Sequence, residues 1–149
     1  MQYPGGTAQR NEEIEAGASR PVSELRDDVR VSSSAFTAAA ADLGANEWAA
    51  GSGVAAFGVI SVSEIPFRRR REVIVHHSDL DLDGPEDWFG WPSDFVRLEL
   101  QRMTMQFART HPMGVATLPP AARGAPAALQ LAWLFGRADI PGLEPANVM

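Results

Sequence analysis

The chain is expected to be mainly α-helical, as part of an up-down helical bundle with a short hairpin or loop at 45–62 and a short C-terminal helix. Three observations predict this. Apolar residues recur every three or four positions over 21–43, 64–80 and 93–109, the period of a single helix face. Glycine or proline stands at the boundaries of those segments, where helices start and stop. Between the first two, small and β-prone residues break the period.

The elements follow in order. From Ala8 to Ala16 a polar run reads as a short helix closed by Gly17, and Ser19-Arg20-Pro21 restarts the chain. Val22, Leu25, Val29, Phe36, Ala39 and Leu43 then form an amphipathic stripe, interrupted by Ser32 to Ser34 and stopped by Gly44. That stripe is packing surface rather than a cofactor box. Over 45–62, Gly51, Gly53 and Gly58 lie among Val54, Phe57, Val59, Ile60 and Val62, which fits a loop or hairpin. Gly51-Ser52-Gly53 lacks the lysine and following helix of a phosphate loop and is assigned to a turn.

Ser63-Glu64-Ile65-Pro66 opens the next helix with proline in its first turn, and Asp83-Gly84-Pro85 closes it. Val73, His76 and Leu80 share one face of it, so His76 is expected to turn toward an interior. Asp79, Asp81 and Asp83 alternate with leucines but lack the late glutamate of a calcium loop. An aromatic knot, Trp88, Phe89 and Trp91, leads into the helix at 93–109. Its face of Val96, Leu100, Met103 and Phe107, widened by Phe95, Leu98 and Met105, is expected to be heavily buried. Residues 112–126 read as a loop, 127–135 as a short apolar helix ending at Gly136-Arg137, and the last dozen as a tail.

Composition limits the chemistry. With 149 residues, 45% of them hydrophobic, the chain can bury one sizeable core. No apolar run approaches the roughly 18 residues that span a bilayer. The N-terminus lacks the basic and hydrophobic regions of a signal peptide, so a cytoplasmic location without membrane partners is expected. Zero cysteines exclude disulfides, thiolate nucleophiles and sulfur-ligated metals, so a metal must be held by histidine and carboxylates. Any thiol chemistry must come from a cofactor. A net charge of −6 opposes binding to nucleic acid, although Arg68 to Arg71 form a local basic block. The block reads first as a helix face with partly buried stems; the lesser reading gives one arginine a substrate carboxylate to hold.

Glu72 and His76 carry the strongest chemical signal. Residues at i and i+4 are helix neighbours, and glutamate oxygen and histidine nitrogen are both ordinary zinc ligands. A catalytic zinc needs about three protein donors and an open position, and only two are visible. The alternative is a buried histidine satisfied by Glu72.

These pieces resemble the mycothiol-dependent maleylpyruvate isomerase family, a branch of the DinB-like metal-binding four-helix bundles. Tyr3-Pro4, Ile14-Glu15-Ala16-Gly17-Ala18, Arg20-Pro21, Glu24-Leu25 and Asp28-Val29-Arg30 resemble the segment leading into its third helix. Glu64-Ile65-Pro66-Phe67, Arg69, Arg71-Glu72-Val73, Val75-His76 and Asp79-Leu80 resemble its metal-binding fourth helix. Gly124-Ala125-Pro126-Ala127-Ala128-Leu129, Ala132-Trp133-Leu134 and Gly136-Arg137 resemble the closing helix of its C-terminal domain.

The resemblance implies a truncated bundle at 1–110, without counterparts of the first two helices, and a reduced C-terminal segment at 111–149. It implies a divalent metal, most simply zinc, on Glu72 and His76, and mycothiol as the thiol that adds to the double bond of a small substrate. Arg137 becomes the candidate to hold substrate carboxylates. The third ligand would come from His77, His111 or another subunit, with His77 poorly placed because adjacent helical residues point about 100° apart. The function implied is a mycothiol-dependent, metal-assisted cis-trans isomerase or related thiol transferase. The alternative is a non-catalytic truncated relative acting as an oligomer or interaction protein, since exposed bundle faces call for partners and favour a homo-oligomer.

Overall fold

A computed structural model describes residues 4–55, 58–80, 82, 84, 86–110, 117–146 and 148. The fold is mainly helical, with a two-stranded hairpin and a short C-terminal helix, as the periodicity predicted. It divides into two compact units, Met1–Arg71 and Glu72–Met149.

The first unit carries α1 (Gly6–Ala18), α2 (Val22–Ala41), α3 (Ala45–Ala50), β1 (Ser52–Ala55), β2 (Gly58–Ser61) and the start of α4 (Ile65–Ser78). The strands pair antiparallel, Ser52 opposite Ser61 and Ala55 opposite Gly58. Helix α3 falls inside the stretch expected to be loop or hairpin; six residues are too few to show a helical period. No described residue of α1, α2 or α3 is buried, and Val22, Val29 and Val31 of α2 are largely exposed. Phe36, Ala39, Leu43, Trp48, Val62 and Ile65 instead line an apolar hollow of about 290 Å³. The arginine block behaves as a helix face. Arg68 pairs with Glu64 at 3.1 Å, and Arg69 donates to Ser33 Oγ at 2.9 Å with its guanidinium 5.0 Å from the Phe36 ring centre.

The second unit holds the buried core. It contains the rest of α4, a 3-10 turn at Asp87–Gly90, α5 (Ser93–Thr110), α6 (Pro120–Gly124) and α7 (Ala127–Leu134). Phe95, Val96, Met103 and Phe107 of α5 pack with Leu131, Trp133 and Leu134 of α7, each such burial stabilising by roughly 1.5–3 kcal/mol. Trp91 meets Phe95 and Phe135 edge-on at 5.7 and 6.0 Å. Its indole N–H donates to Ser78 Oγ at 2.8 Å.

Three expectations are corrected here. Met105 is 52% exposed, while the carboxylate of Glu99 takes a place in the buried stripe, 3.9 Å from Arg102. Helix α6 lies within the stretch read as loop. The last residues are not a tail: Ile140, Ala146 and Val148 are buried, and the Trp133 indole donates to the Glu144 carbonyl at 3.2 Å. Isolated apolar groups without a period leave no sequence signal of such burial.

Candidate metal centre

Helical geometry brings Glu72 and His76 together on α4, with Glu72 Oε2 3.2 Å from His76 Nε2. Bonds of about 2.0–2.2 Å would put neighbouring donors of a tetrahedral zinc about 3.3–3.6 Å apart, so the two atoms lie close to the spacing of a ligand pair. Their side chains are 65% and 59% exposed. His76 therefore does not face an interior, contrary to the sequence expectation, and Val73 and Leu80 are exposed with it. The buried position is Val75, with Ile74 packed beside the core. A stripe displaced by one residue rotates a helix face by about 100°.

The other ring nitrogen is also engaged. His76 Nδ1 lies 2.7 Å from Asp79 Oδ2, three residues further along. Asp79 in turn accepts two hydrogen bonds from Arg137, Nε to Oδ1 at 3.0 Å and Nη2 to Oδ2 at 2.8 Å, the bidentate geometry that a guanidinium offers a carboxylate. The Arg137 hydrogen bonds, outweighing desolvation, with a further contribution from His76, hold the Asp79 carboxyl down at about 2. The same contact raises the Arg137 pKa.

Arg137 reaches this position because of how α7 ends. Gly136 adopts φ +70°, its N–H donates to the Trp133 carbonyl at 3.0 Å, and the Arg137 N–H donates to the Ala132 carbonyl at 2.8 Å. These are the paired bonds of a Schellman cap, and they need a left-handed residue that glycine adopts without a Cβ clash. Arg137 Nη1 also donates to the Phe135 carbonyl at 2.6 Å. The guanidinium thus binds both Asp79 and its own helix end.

His77 lines a separate hollow of about 270 Å³ with Val73, Ile74 and Asp87. His111, Asp81 and Asp83 lie outside the described residues. Among the described residues no three histidine or carboxylate groups are arranged to hold one ion. The donor pair fits a divalent metal in atom type and spacing and falls short in number. A groove of about 830 Å³ along α5 and the start of α7 is apolar and is lined by none of the four site residues.

Sequence reasoning overlooked Asp79 as a partner of His76, although its i+3 position was a readable signal. Its contact with Arg137, 58 residues away, had none.

The protein is mainly helical, and its α4 carries an exposed i,i+4 Glu/His pair whose histidine is backed by a carboxylate. Residues 1–81 match the mycothiol maleylpyruvate isomerase N-terminal domain. The chain belongs to that family. No curated protein and no solved structure matches it. The matched stretch contains Glu72, His76 and Asp79; Arg137 lies beyond it. No helix among the described residues is long and apolar enough to cross a membrane.

Proposed function

We propose that the chain is a mycothiol-dependent, metal-assisted cis-trans isomerase or related thiol transferase acting on a small unsaturated acid such as maleylpyruvate. The observation that carries the reading is the convergence of Glu72 and His76 at 3.2 Å inside the stretch that matches the family. Glu72 and His76 would hold the divalent ion, most simply zinc; when bound, it supplies a lowered thiol pKa. Because the chain has no cysteine, the nucleophilic sulfur belongs to mycothiol. Addition of that thiol to the cis double bond, rotation about the resulting single bond and loss of the same thiol restore the cofactor and leave the trans acid.

Two protein donors are one fewer than a catalytic zinc ordinarily has, so the chain alone is expected to bind zinc weakly. A third donor from His111 or a second copy would raise both affinity and turnover. The test is zinc titration of the protein together with mycothiol-dependent conversion of maleylpyruvate to fumarylpyruvate. Glu72→Ala and His76→Ala should each abolish metal retention and turnover. Tight zinc binding and turnover untouched by either substitution would refute the assignment.

A second reading, a non-catalytic oligomer, is favoured by α2, where Val22, Val29 and Val31 are 80%, 64% and 68% exposed. Apolar groups of that exposure on one helix favour a second copy of the chain as cover. Sedimentation showing a stable monomer at micromolar concentration would remove this reading.

A further inference from the structure

Asp79 and Arg137 form a relay that ends on the histidine, and its direction follows from the donors and acceptors involved. A carboxylate accepts hydrogen bonds and cannot donate them. With Asp79 ionised beside Arg137, the 2.7 Å contact to His76 Nδ1 requires the proton to sit on that nitrogen. In the neutral ring the lone pair is then left on Nε2, which is the atom 3.2 Å from Glu72 Oε2. Two lone-pair atoms facing each other at that separation call for a positive charge between them, either a proton or a metal ion.

We propose that Asp79 is a positioning residue that fixes the tautomer and orientation of His76, and that Arg137 acts on this ring through Asp79 rather than on a substrate carboxylate. The metal part of this proposal rests on the reading of Glu72 and His76 as ligands; the tautomer part does not. Ligating histidines are ordinarily held in this way by a carboxylate on the second nitrogen, and loss of that carboxylate lowers metal affinity about 10–100-fold. Arg137 supplies what a lone aspartate on a helix end lacks, a two-point clamp that stops the carboxylate from rotating away. The clamp is in turn aimed by the Schellman cap at Gly136, so the end of α7 sets the orientation of a ring on α4.

The experiment has two independent readouts on the full chain. The first is ¹⁵N NMR of the imidazole rings in metal-free protein at a pH where His76 is neutral, with the three histidines assigned through single His→Gln variants. Wild type should show His76 protonated on Nδ1. Asp79→Asn should abolish that preference, and Arg137→Gln should weaken it, with Arg137→Lys in between. The second is zinc affinity by titration. Asp79→Asn should lower it about 10–100-fold, Arg137→Gln should lower it less, and the double variant should match Asp79→Asn alone. A wild-type ring protonated on Nε2, or a tautomer unchanged by Asp79→Asn, overturns the positioning role of Asp79. Additive losses in the double variant, or an Arg137→Gln protein with unchanged tautomer and zinc affinity, overturn the role of Arg137. Should the tautomer respond as expected while zinc fails to bind wild type, the positioning stands and the metal reading of Glu72 and His76 falls. Circular dichroism of each variant confirms the helical fold, and Arg137→Lys retains a cation where Arg137→Gln proves unstable.

Discussion

Replacing Asp79 by asparagine should destabilise the metal-free protein at neutral pH and have almost no effect in strong acid. Folding lowers the Asp79 carboxyl from its ordinary 3.8 to about 2. At 1.36 kcal/mol per pH unit this gives at most about 2.4 kcal/mol. The side chains of Arg137 and Asp79 are 27% and 33% exposed, so solvent screening reduces the expected contribution to about 1 kcal/mol. The sign follows from the depressed folded value. The contribution is complete above about pH 4, where the unfolded carboxyl is ionised, and is lost as pH falls toward and below about 2. Urea unfolding with a chelator present, followed by tryptophan fluorescence, suits the measurement because Trp88, Trp91 and Trp133 all lie in the second unit with Asp79. With a slope of about 2 kcal/mol/M, the variant midpoint should fall by about 0.5 M at pH 6 and converge on wild type near pH 2. A difference that stays constant over that range, or widens in acid, would refute the linkage argument.

Other consequences are equally direct. Gly136→Ala forces a Cβ into a left-handed position and should cost about 1–2 kcal/mol in thermal unfolding. Leu131→Ala, at a side chain with no exposure, should cost about 2–5 kcal/mol through the cavity it leaves, measured in urea. Ser78→Ala removes the acceptor of the Trp91 indole N–H, and leaving that buried donor unmatched should cost about 1–3 kcal/mol, with a change in near-ultraviolet dichroism.

The long helices could be read from the sequence because each repeats its apolar residues over several turns between glycine and proline boundaries. Helices α3 and α6, of six and five residues, are too short to carry that signal. The phase of α4 was ambiguous for a different reason. Val73, Ile74 and Val75 are consecutive β-branched residues, so two neighbouring stripes are equally apolar, and the choice between them is made by contacts from elsewhere in the chain. Trp91, thirteen residues beyond Ser78, takes that serine as its acceptor and so marks the buried face. The Glu72/His76 pair was legible because helix geometry alone brings i and i+4 together, whichever face is buried.

What backs the pair could not be found that way, since it depends on where one helix ends. The Schellman bonds at Gly136 place Arg137, Arg137 clamps Asp79, and Asp79 meets the histidine ring. All of these groups belong to the unit that contains the buried core, and α7, which carries Leu131, Ala132, Trp133 and Leu134, is its most continuously buried helix. Packing therefore reaches the ring in few steps. A substitution that loosens the end of α7 is therefore expected to redirect the guanidinium. The ring at His76, although exposed, should respond to core variants that touch neither it nor Glu72.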